Sequence, residues 1–372
     1  MSDKDFSQEQ NPWYLRNGLD NDVIISTRAR FARNLANFPF VPNFRGDDKE
    51  RIQSLIFDAF SHFENLDDYI FVNTSLLEKE GMKILSERGM LKLSKNSEGA
   101  IIPFGTGLVV HAGGNISCSI NSTDHLHISS IRAGLDCRKA FEECKLIDDK
   151  LQEYLQFAAS CDFGYLTTSL LSAGSGMKFS AIIHIPAIVR SGKIKMFVDY
   201  LRDNGIKIMP AFPSPPALEA ALGCYYIIST VAAQSGTEID QLAAFESVCK
   251  HLVESERKIL AELADNKRTI NRNTVIRAYS IAKFSMLVSL NEAIELIADI
   301  QFGMRLGLIS GINNSDLSGL LYRVQVAHLN YLMNSGSFEF EKDVEQNQRL
   351  KADRLRAIIL QETFDKISLE NL

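Results

Sequence analysis

Beyond Pro216 this 372-residue chain has no proline: all nine lie at or before that position, four of them in Pro210-Ala-Phe-Pro213-Ser-Pro215-Pro216. The long tail therefore contains nothing that removes a backbone donor or clashes with a preceding helical turn. Positive charge is also in deficit, with 40 Lys+Arg against 46 Asp+Glu and a net charge of −6. That balance excludes nonspecific nucleic-acid binding as the main activity, since such binding needs a cationic surface to displace counterions. No apolar run approaches the roughly 20 residues that span a bilayer. The opening Met1-Ser2-Asp3-Lys4-Asp5 lacks the basic-then-apolar pattern of an export signal, so a cytoplasmic protein is expected. The six cysteines, Cys118, Cys137, Cys144, Cys161, Cys224 and Cys249, show neither CxxC pairing nor regular spacing. Free, mostly buried thiols are expected, with no protein-bound metal and no disulfide framework. What is present is ample core material: 45% apolar residues and 22 Phe. The length exceeds what one core usually holds, about 250–300 residues, so two domains are expected.

Strand-like runs crowd the first two thirds: Asp22-Val-Ile-Ile-Ser, Tyr69-Ile-Phe-Val, Gly107-Leu-Val-Val-His, Ile116-Ser-Cys-Ser-Ile, His125-Leu-His-Ile, Phe179-Ser-Ala-Ile-Ile-His and Gly205-Ile-Lys-Ile-Met. Helical periods at 47–63, 138–158 and 186–204 separate them, and the short connections near 114–124 suit hairpins. From Leu242 the positions Leu242, Phe245, Val248, Leu252, Ile259 and Leu263 recur at helical spacing. Further helices are predicted at 273–286, 290–306, 314–334 and 342–363, with Ser289 and Glu292 at capping-box spacing. The fold class is α+β: a largely antiparallel sheet flanked by helices over 1–265, then an all-α domain over 266–372 that serves as core plus a dimer or partner contact.

The sharpest local feature is Ser26-Thr27-Arg28-Ala29-Arg30-Phe31-Ala32-Arg33-Asn34 at the end of a strand. Arg28 and Arg30, two apart on an extended segment, project to one face, where two guanidinium forks can grip phosphate oxygens. Spacing alone favours the plainer reading, arginines that cap a strand and pair with surface acids. His125 and His127 would also share a strand face, with Asp124 pointing away, a pattern open to metal binding but more ordinarily one of hydrogen-bonded histidines.

The wider sequence resembles the phosphagen (ATP:guanido) kinase superfamily, most closely its bacterial protein-arginine-kinase branch. Asp22-Val-Ile-Ile-Ser-Thr-Arg-Ala-Arg-Phe-Ala-Arg-Asn is similar to V-L-S-S-R-I-R-L-A-R-N, and Asn121-Ser-Thr-Asp-His-Leu-His-Ile to N-E-E-D-H-[LI]-R-I. Gly164-Tyr-Leu-Thr-Thr-Ser-Leu-Leu-Ser-Ala-Gly-Ser-Gly-Met-Lys-Phe-Ser-Ala resembles G-Y-L-T-S-C-P-T-N-V-G-T-G-L-R-A-S, and His184-Ile-Pro-Ala continues like H-L-P-A. The resemblance implies an antiparallel sheet flanked by helices, a helical C-terminal domain, Mg-ATP or Mg-ADP as ligand, and transfer of a γ-phosphoryl group to a guanidinium nitrogen. It implies a nucleotide site on Ser26, Thr27, Arg28, Ala29 and Arg30 together with Lys178, Phe179, Ser180, Ala181 and Ile182.

Several family positions are changed. The two glutamates of N-E-E-D-H fall on Ser122 and Thr123, which offer a guanidinium no fixed negative charge. A phosphate-binding arginine falls on His127, the cysteine on Ser169, and another arginine on Lys178, which keeps charge but not the fork. The R-G-x-x-G-E loop is replaced by Met209-Pro-Ala-Phe-Pro-Ser-Pro-Pro. Asp124 and Glu219 remain as weak candidates for a substitute carboxylate. In the tail, Glu345-Gln-Asn-Gln-Arg-Leu-Lys-Ala stands where the branch carries R-D-x-x-R-A, its phosphoarginine-recognition element. The expectation is a catalytically impaired, pseudokinase-like homologue with a regulatory or scaffolding role, forming a homo-oligomer or partnering an active arginine kinase, its zinc-containing activator protein or an AAA+ unfoldase. The alternative is a working protein arginine kinase with displaced catalytic groups.

Overall fold

The computed structural model of the chain describes residues 12–95, 101–103, 105–212, 221–233, 236–266 and 268–370. The strands are β1 (Ile24–Arg33), β2 (Tyr69–Asn73), β3 (Leu93–Lys95), β4 (Ile101–Pro103), β5 (Gly107–His111), β6 (Ile116–Ile120), β7 (Leu126–Ala133), β8 (Ala159–Ser160), β9 (Gly164–Tyr165), β10 (Met177–His184), β11 (Ile206–Pro210), β12 (Tyr225–Thr230), β13 (Ile309–Ser310) and β14 (Ser368–Leu369). The helices are α1 (Asp48–Ser61), α2 (Lys79–Glu87), α3 (Cys137–Gln152), α4 (Pro186–Arg190), α5 (Ile194–Asp203), α6 (Glu238–Asn266), α7 (Arg268–Phe284), α8 (Leu290–Arg305), α9 (Asn314–Arg323), α10 (Val326–Ser335), α11 (Lys342–Glu345) and α12 (Gln348–Phe364). The fold is α+β, with a large antiparallel sheet followed by a helical C-terminal region, as the alternation and the proline-free tail predict.

The chain divides into two compact units: Met1–Arg16, Ser26–Ala181 and Ser229–Ser247 in the first, Asn17–Ile25, Ile182–Ile228 and Val248–Leu372 in the second. In the first unit the strands run β10-β1-β7-β6-β5-β2. The pairs β1/β7, β7/β6, β6/β5 and β5/β2 are antiparallel, with Arg30 opposite Ser129 and Ala32 opposite His127. Pleating puts Arg28, Arg30, His127, Ser129, Ser117 and Ser119 on one face. The other face carries Ala29, Phe31, Cys118 and Ile128, all buried, and receives α1 and α3: Phe60 and Phe57 meet Phe71, and Phe141 meets Phe31. Phe179 stacks on Phe245 of α6 on that same helical side, where Glu238 at the start of α6 feels Arg33 and Lys145. One face of the sheet is thus apolar and helix-covered, and the other is polar.

Gly176, before β10, has a φ of 64°, and a Cβ there would lie 2.6 Å from the Ala32 carbonyl. Only glycine lets the chain pass so close to the end of β1.

In the second unit β11 lies beside β12. Its helices pack around Ile294, Ile297, Phe302, Leu320, Leu329, Leu360 and Phe364, all fully buried. Glu256 on α6, also fully buried, accepts the amides of Ala187 and Ile188 at the start of α4 and pairs with Arg305 at 3.1 Å. Three of the predicted helices are each broken in two. The 186–204 segment divides at Gly192, whose φ is 76°. The 314–334 segment divides between Arg323 and Val326, and the last one at Asn347, whose side chain caps the amides of Arg349 and Leu350. Sequence periodicity missed α2 and β12.

Candidate active site

Three arginines stand on β1, and the pleat separates them. Arg33 faces the helices and is fully buried, its Nε and Nη2 each 2.8 Å from an Asp148 oxygen. Its Nη1 donates to the carbonyls of Ala32 and Ser175, and its guanidinium lies 3.6 Å from the Tyr165 ring centre. Arg33 is a structural strut. Arg28 and Arg30 face the other way and are half-buried. Arg28 Nη2 donates to the Gly89 carbonyl at 2.6 Å. Arg30 makes no hydrogen bond or ion pair among the described residues. Burial pulls its guanidinium below its ordinary value, and the charge of Asp124 opposes that. A half-buried guanidinium with five donors and no acceptor suits an anion.

Lys178 and Ser180 come from the neighbouring β10, at half-buried positions that alternate with buried Met177, Phe179 and Ala181. They share the polar face with Arg28 and Arg30. Thr27 does not: its hydroxyl donates to the Gly134 carbonyl and accepts the Asp136 amide, which ties the start of α3 to β1. Ala29, Phe179 and Ala181 are core residues on the helical side, Ser26 is buried, and Ile182 belongs to the second unit.

Asn121, at a φ of 54°, ends β6 and opens a loop that runs to His125. Within it Asp124 is buried, one oxygen accepting from Asn34 at 2.8 Å and the Thr168 amide at 2.7 Å, the other 3.1 Å from His127 Nε2. Burial would raise this carboxyl, but the hydrogen bonds from His127, Thr168 and Asn34 prevail and hold it well below the usual range. Ser122 Oγ lies 2.9 Å from His127 Nδ1, and the exposed Thr123 places Oγ1 3.2 Å from Nε2. Burial lowers the His127 pKa, partly offset by Asp124 and reinforced by Arg30, so the ring is neutral near pH 7.

The expectation that His125 and His127 share a face, with Asp124 turned away, is overturned. The loop places Asp124 against His127, while His125 turns to backbone, Nδ1 accepting from the Leu35 amide and Nε2 reaching the Pro39 carbonyl, each at 2.9 Å. Among the described residues no group of three or more His, Cys, Asp or Glu is arranged to hold a metal ion. Ser169 is exposed at the start of a short 3-10 turn, its carbonyl accepting from the Thr167 hydroxyl. Met209 is exposed on β11 in the second unit. Glu219 lies outside the described residues.

With this geometry in place, the chain can be set beside known proteins. A family model of the ATP:guanido phosphotransferase C-terminal catalytic domain matches residues 51–259. The chain belongs to the ATP:guanido phosphotransferase family. A second model, for the C-terminal domain of protein-arginine kinase McsB, matches residues 269–371. It is 27% identical to a protein-arginine kinase of Syntrophomonas wolfei over 336 residues, covering 89% of this chain and 91% of that protein. It is 26% identical to one of Halothermothrix orenii over 359 residues, 94% and 99% of the two chains. Among solved structures, the duplicated taurocyamine kinase of Schistosoma mansoni matches 66% of this chain and 34% of its own at a TM-score of 0.57 and 20% identity. Lombricine kinase matches 66% and 69% at a TM-score of 0.57 and 16% identity. These two establish the phosphagen-kinase fold alone. No helix among the described residues is long and apolar enough to cross a membrane.

Within the family frame, sequence reasoning missed two things. Asp148, the partner of Arg33, gave no local signal, because it is one of many acids on a helix 115 residues away. In the tail, Asp353-Arg-Leu-Arg356-Ala357 repeats the D-x-x-R-A part of the branch element with Ala352 in place of its first arginine, a few residues beyond the Glu345–Ala352 stretch. Asp353 and Arg356 pair one turn apart on α12, beside a cavity of about 500 Å³ also lined by Arg349, Gln348, Asn330 and Ser289. Arg356 is itself fully buried, donating to the carbonyls of Val324 and Val288.

Proposed function

We propose that this chain is a protein-arginine-kinase-like protein that no longer transfers phosphoryl groups to guanidinium and acts by binding, keeping a nucleotide site on Arg28, Arg30 and Lys178. The observation that carries the reading is the Asn121–His125 loop. Where a carboxylate would meet a guanidinium it has Ser122 and Thr123, and its one carboxylate, Asp124, spends both oxygens on Asn34, Thr168 and His127. Phosphoryl transfer of this kind is positioning plus charge stabilisation, so a missing charge is not replaced by a hydroxyl.

The polar face fits phosphates, with two arginines and a lysine side by side and Arg30 uncommitted. A magnesium ion would be held by the nucleotide's own oxygens and water, as is usual for that ion. The nucleotide would supply the counter-charge that Arg30 lacks, while β1 and β10 set the spacing. The partner would be a second copy of the chain, an active arginine kinase, a zinc-containing activator protein or an AAA+ unfoldase, in the cytoplasm.

Calorimetric titration with Mg-ADP and Mg-ATP tests this reading. Binding in the micromolar range is expected in the native chain and none in Arg28→Ala/Arg30→Ala, since two charge-assisted contacts of about 1.5–3 kcal/mol each are lost. The folded protein should form no acid-labile phosphoarginine on a protein substrate. Phosphoarginine formation would establish the working kinase instead, and absence of nucleotide binding would leave a scaffold alone.

A further inference from the structure

His125 and His127 lie two residues apart and use their rings differently. His125 spends both nitrogens on backbone groups. His127 turns to side chains: Ser122 on Nδ1, Asp124 and Thr123 on Nε2. The tautomer follows from chemistry. An ionised carboxylate only accepts, so Nε2 carries the hydrogen and donates to Asp124, and Nδ1 presents a lone pair to the Ser122 hydroxyl. A serine hydroxyl thus donates to a neutral imidazole whose far side is fixed by a buried carboxylate, and that carboxylate is in turn fixed by Asn34 and the Thr168 amide.

This is the arrangement by which a weak hydroxyl nucleophile is activated, recognised by geometry rather than by order in the chain. Arg30, whose charge acts on both His127 and Asp124, shares the face of the sheet that carries His127. We infer that Ser122 is a nucleophile with His127 as its base and Asp124 as the positioning carboxylate, and that Ser122 accepts the terminal phosphoryl group of a nucleoside triphosphate held at Arg28 and Arg30. This rests on the nucleotide-binding reading above and names what the site does with the nucleotide.

The step balances without a further reactant. The Ser122 proton passes to His127 Nδ1, and Oγ forms a bond to phosphorus. The bond from phosphorus to the bridging oxygen breaks, its electron pair leaving with the nucleoside diphosphate. Asp124 holds the imidazolium until it releases its proton to water. Thr123 is nearer to solvent but faces the nitrogen that already carries hydrogen, so it can only accept and is not activated.

The test incubates the full chain with Mg-ATP and follows intact mass, then maps the modified residue by fragmentation. The expected result is one phosphoryl group, acid-stable, on Ser122. It should be absent in Ser122→Ala and slower by about a hundredfold or more in His127→Gln, the usual size of a general-base contribution. In the native protein the rate should fall as pH drops through the histidine titration. Nucleotide binding is measured on the same samples. Binding without phosphoserine overturns the inference and leaves the binding reading intact, and no binding overturns both. Phosphate on Thr123 or elsewhere, or an undiminished rate in His127→Gln, also overturns it. The modified residue is mapped on the native chain, so its identity does not depend on a variant folding.

Discussion

Asp148→Ala should be among the most damaging single changes in the first unit, and the reason lies in what it leaves behind. Arg33 cannot shed its proton, and its guanidinium is fully buried, held by the Ala32 and Ser175 carbonyls and the Tyr165 ring. Removing Asp148 strips two 2.8 Å bonds from Nε and Nη2 and leaves a buried charge without its counterion. Breaking such a pair from one side costs about 3–5 kcal/mol, a large part of the roughly 5–15 kcal/mol that holds a domain together. Trp13 is the only tryptophan, buried and within this unit, so its fluorescence in urea reports the unit's unfolding. With a urea slope of about 2 kcal/mol per molar, the midpoint should fall by about 2 M. Arg33→Met/Asp148→Leu should recover a good part of the loss, because the pair is replaced rather than broken. A midpoint for Asp148→Ala within about 0.25 M of the native one, about 0.5 kcal/mol at that slope, would refute the assignment of Arg33 as a strut.

The same fluorescence transition should shift with pH. His125 and His127 titrate below their ordinary value of about 6.5, so between their folded values and that point the unfolded chain binds protons that the folded one refuses. Their stability is complete above about pH 6.5 and is lost as pH falls, at about 1.4 kcal/mol for each unit of depression; Asp124, also depressed, adds its loss only below the ordinary carboxylate range. The urea midpoint at pH 5.5 should therefore lie below that at pH 7.5, and equal midpoints would contradict neutral buried rings. In the second unit, Glu256→Ala should expose the Ala187 and Ile188 amides to exchange and leave Arg305 unpaired, at a cost of about 3 kcal/mol or more. Hydrogen exchange at those two amides measures it directly, and unchanged protection would show that Glu256 is dispensable.

Much of the fold was legible in the sequence because alternation and helical period are local signals. The strands at Tyr69, Gly107 and Ile116 and the long helix through Leu242–Leu263 follow from the spacing of apolar residues alone. The breaks were less legible. Gly192 and Asn347 divide what periodicity reads as continuous helices, and β12 was hidden behind a proline-rich segment. The shared face of Arg28 and Arg30 was legible because extended chain puts alternate residues on one face. It was not legible at Arg33, where one residue of parity reverses the meaning of an identical side chain. The histidine pair was misread because strand geometry was extended back through His125, whereas β7 begins at Leu126 after the turn set by Asn121.

The substitutions in the Asn121–His125 loop form one change rather than several. An arginine at position 127 would stand beside Arg30 and would need the two glutamates of the family motif to balance it. With Ser122 and Thr123 in their place, a neutral imidazole avoids a second uncompensated cation. The imidazole in turn gives Asp124 a donor and Ser122 an acceptor, so His127 links the other two side chains. Restoring a glutamate at position 122 alone would set a second carboxylate near Asp124 and remove the hydroxyl that His127 binds. The site is therefore self-consistent in its altered form, with its charge concentrated on Arg28, Arg30 and Lys178. On the proposed reading, a cationic guanidinium substrate would find no counter-charge at Ser122 and Thr123, where the family motif places its two glutamates, and the site would favour an anion instead.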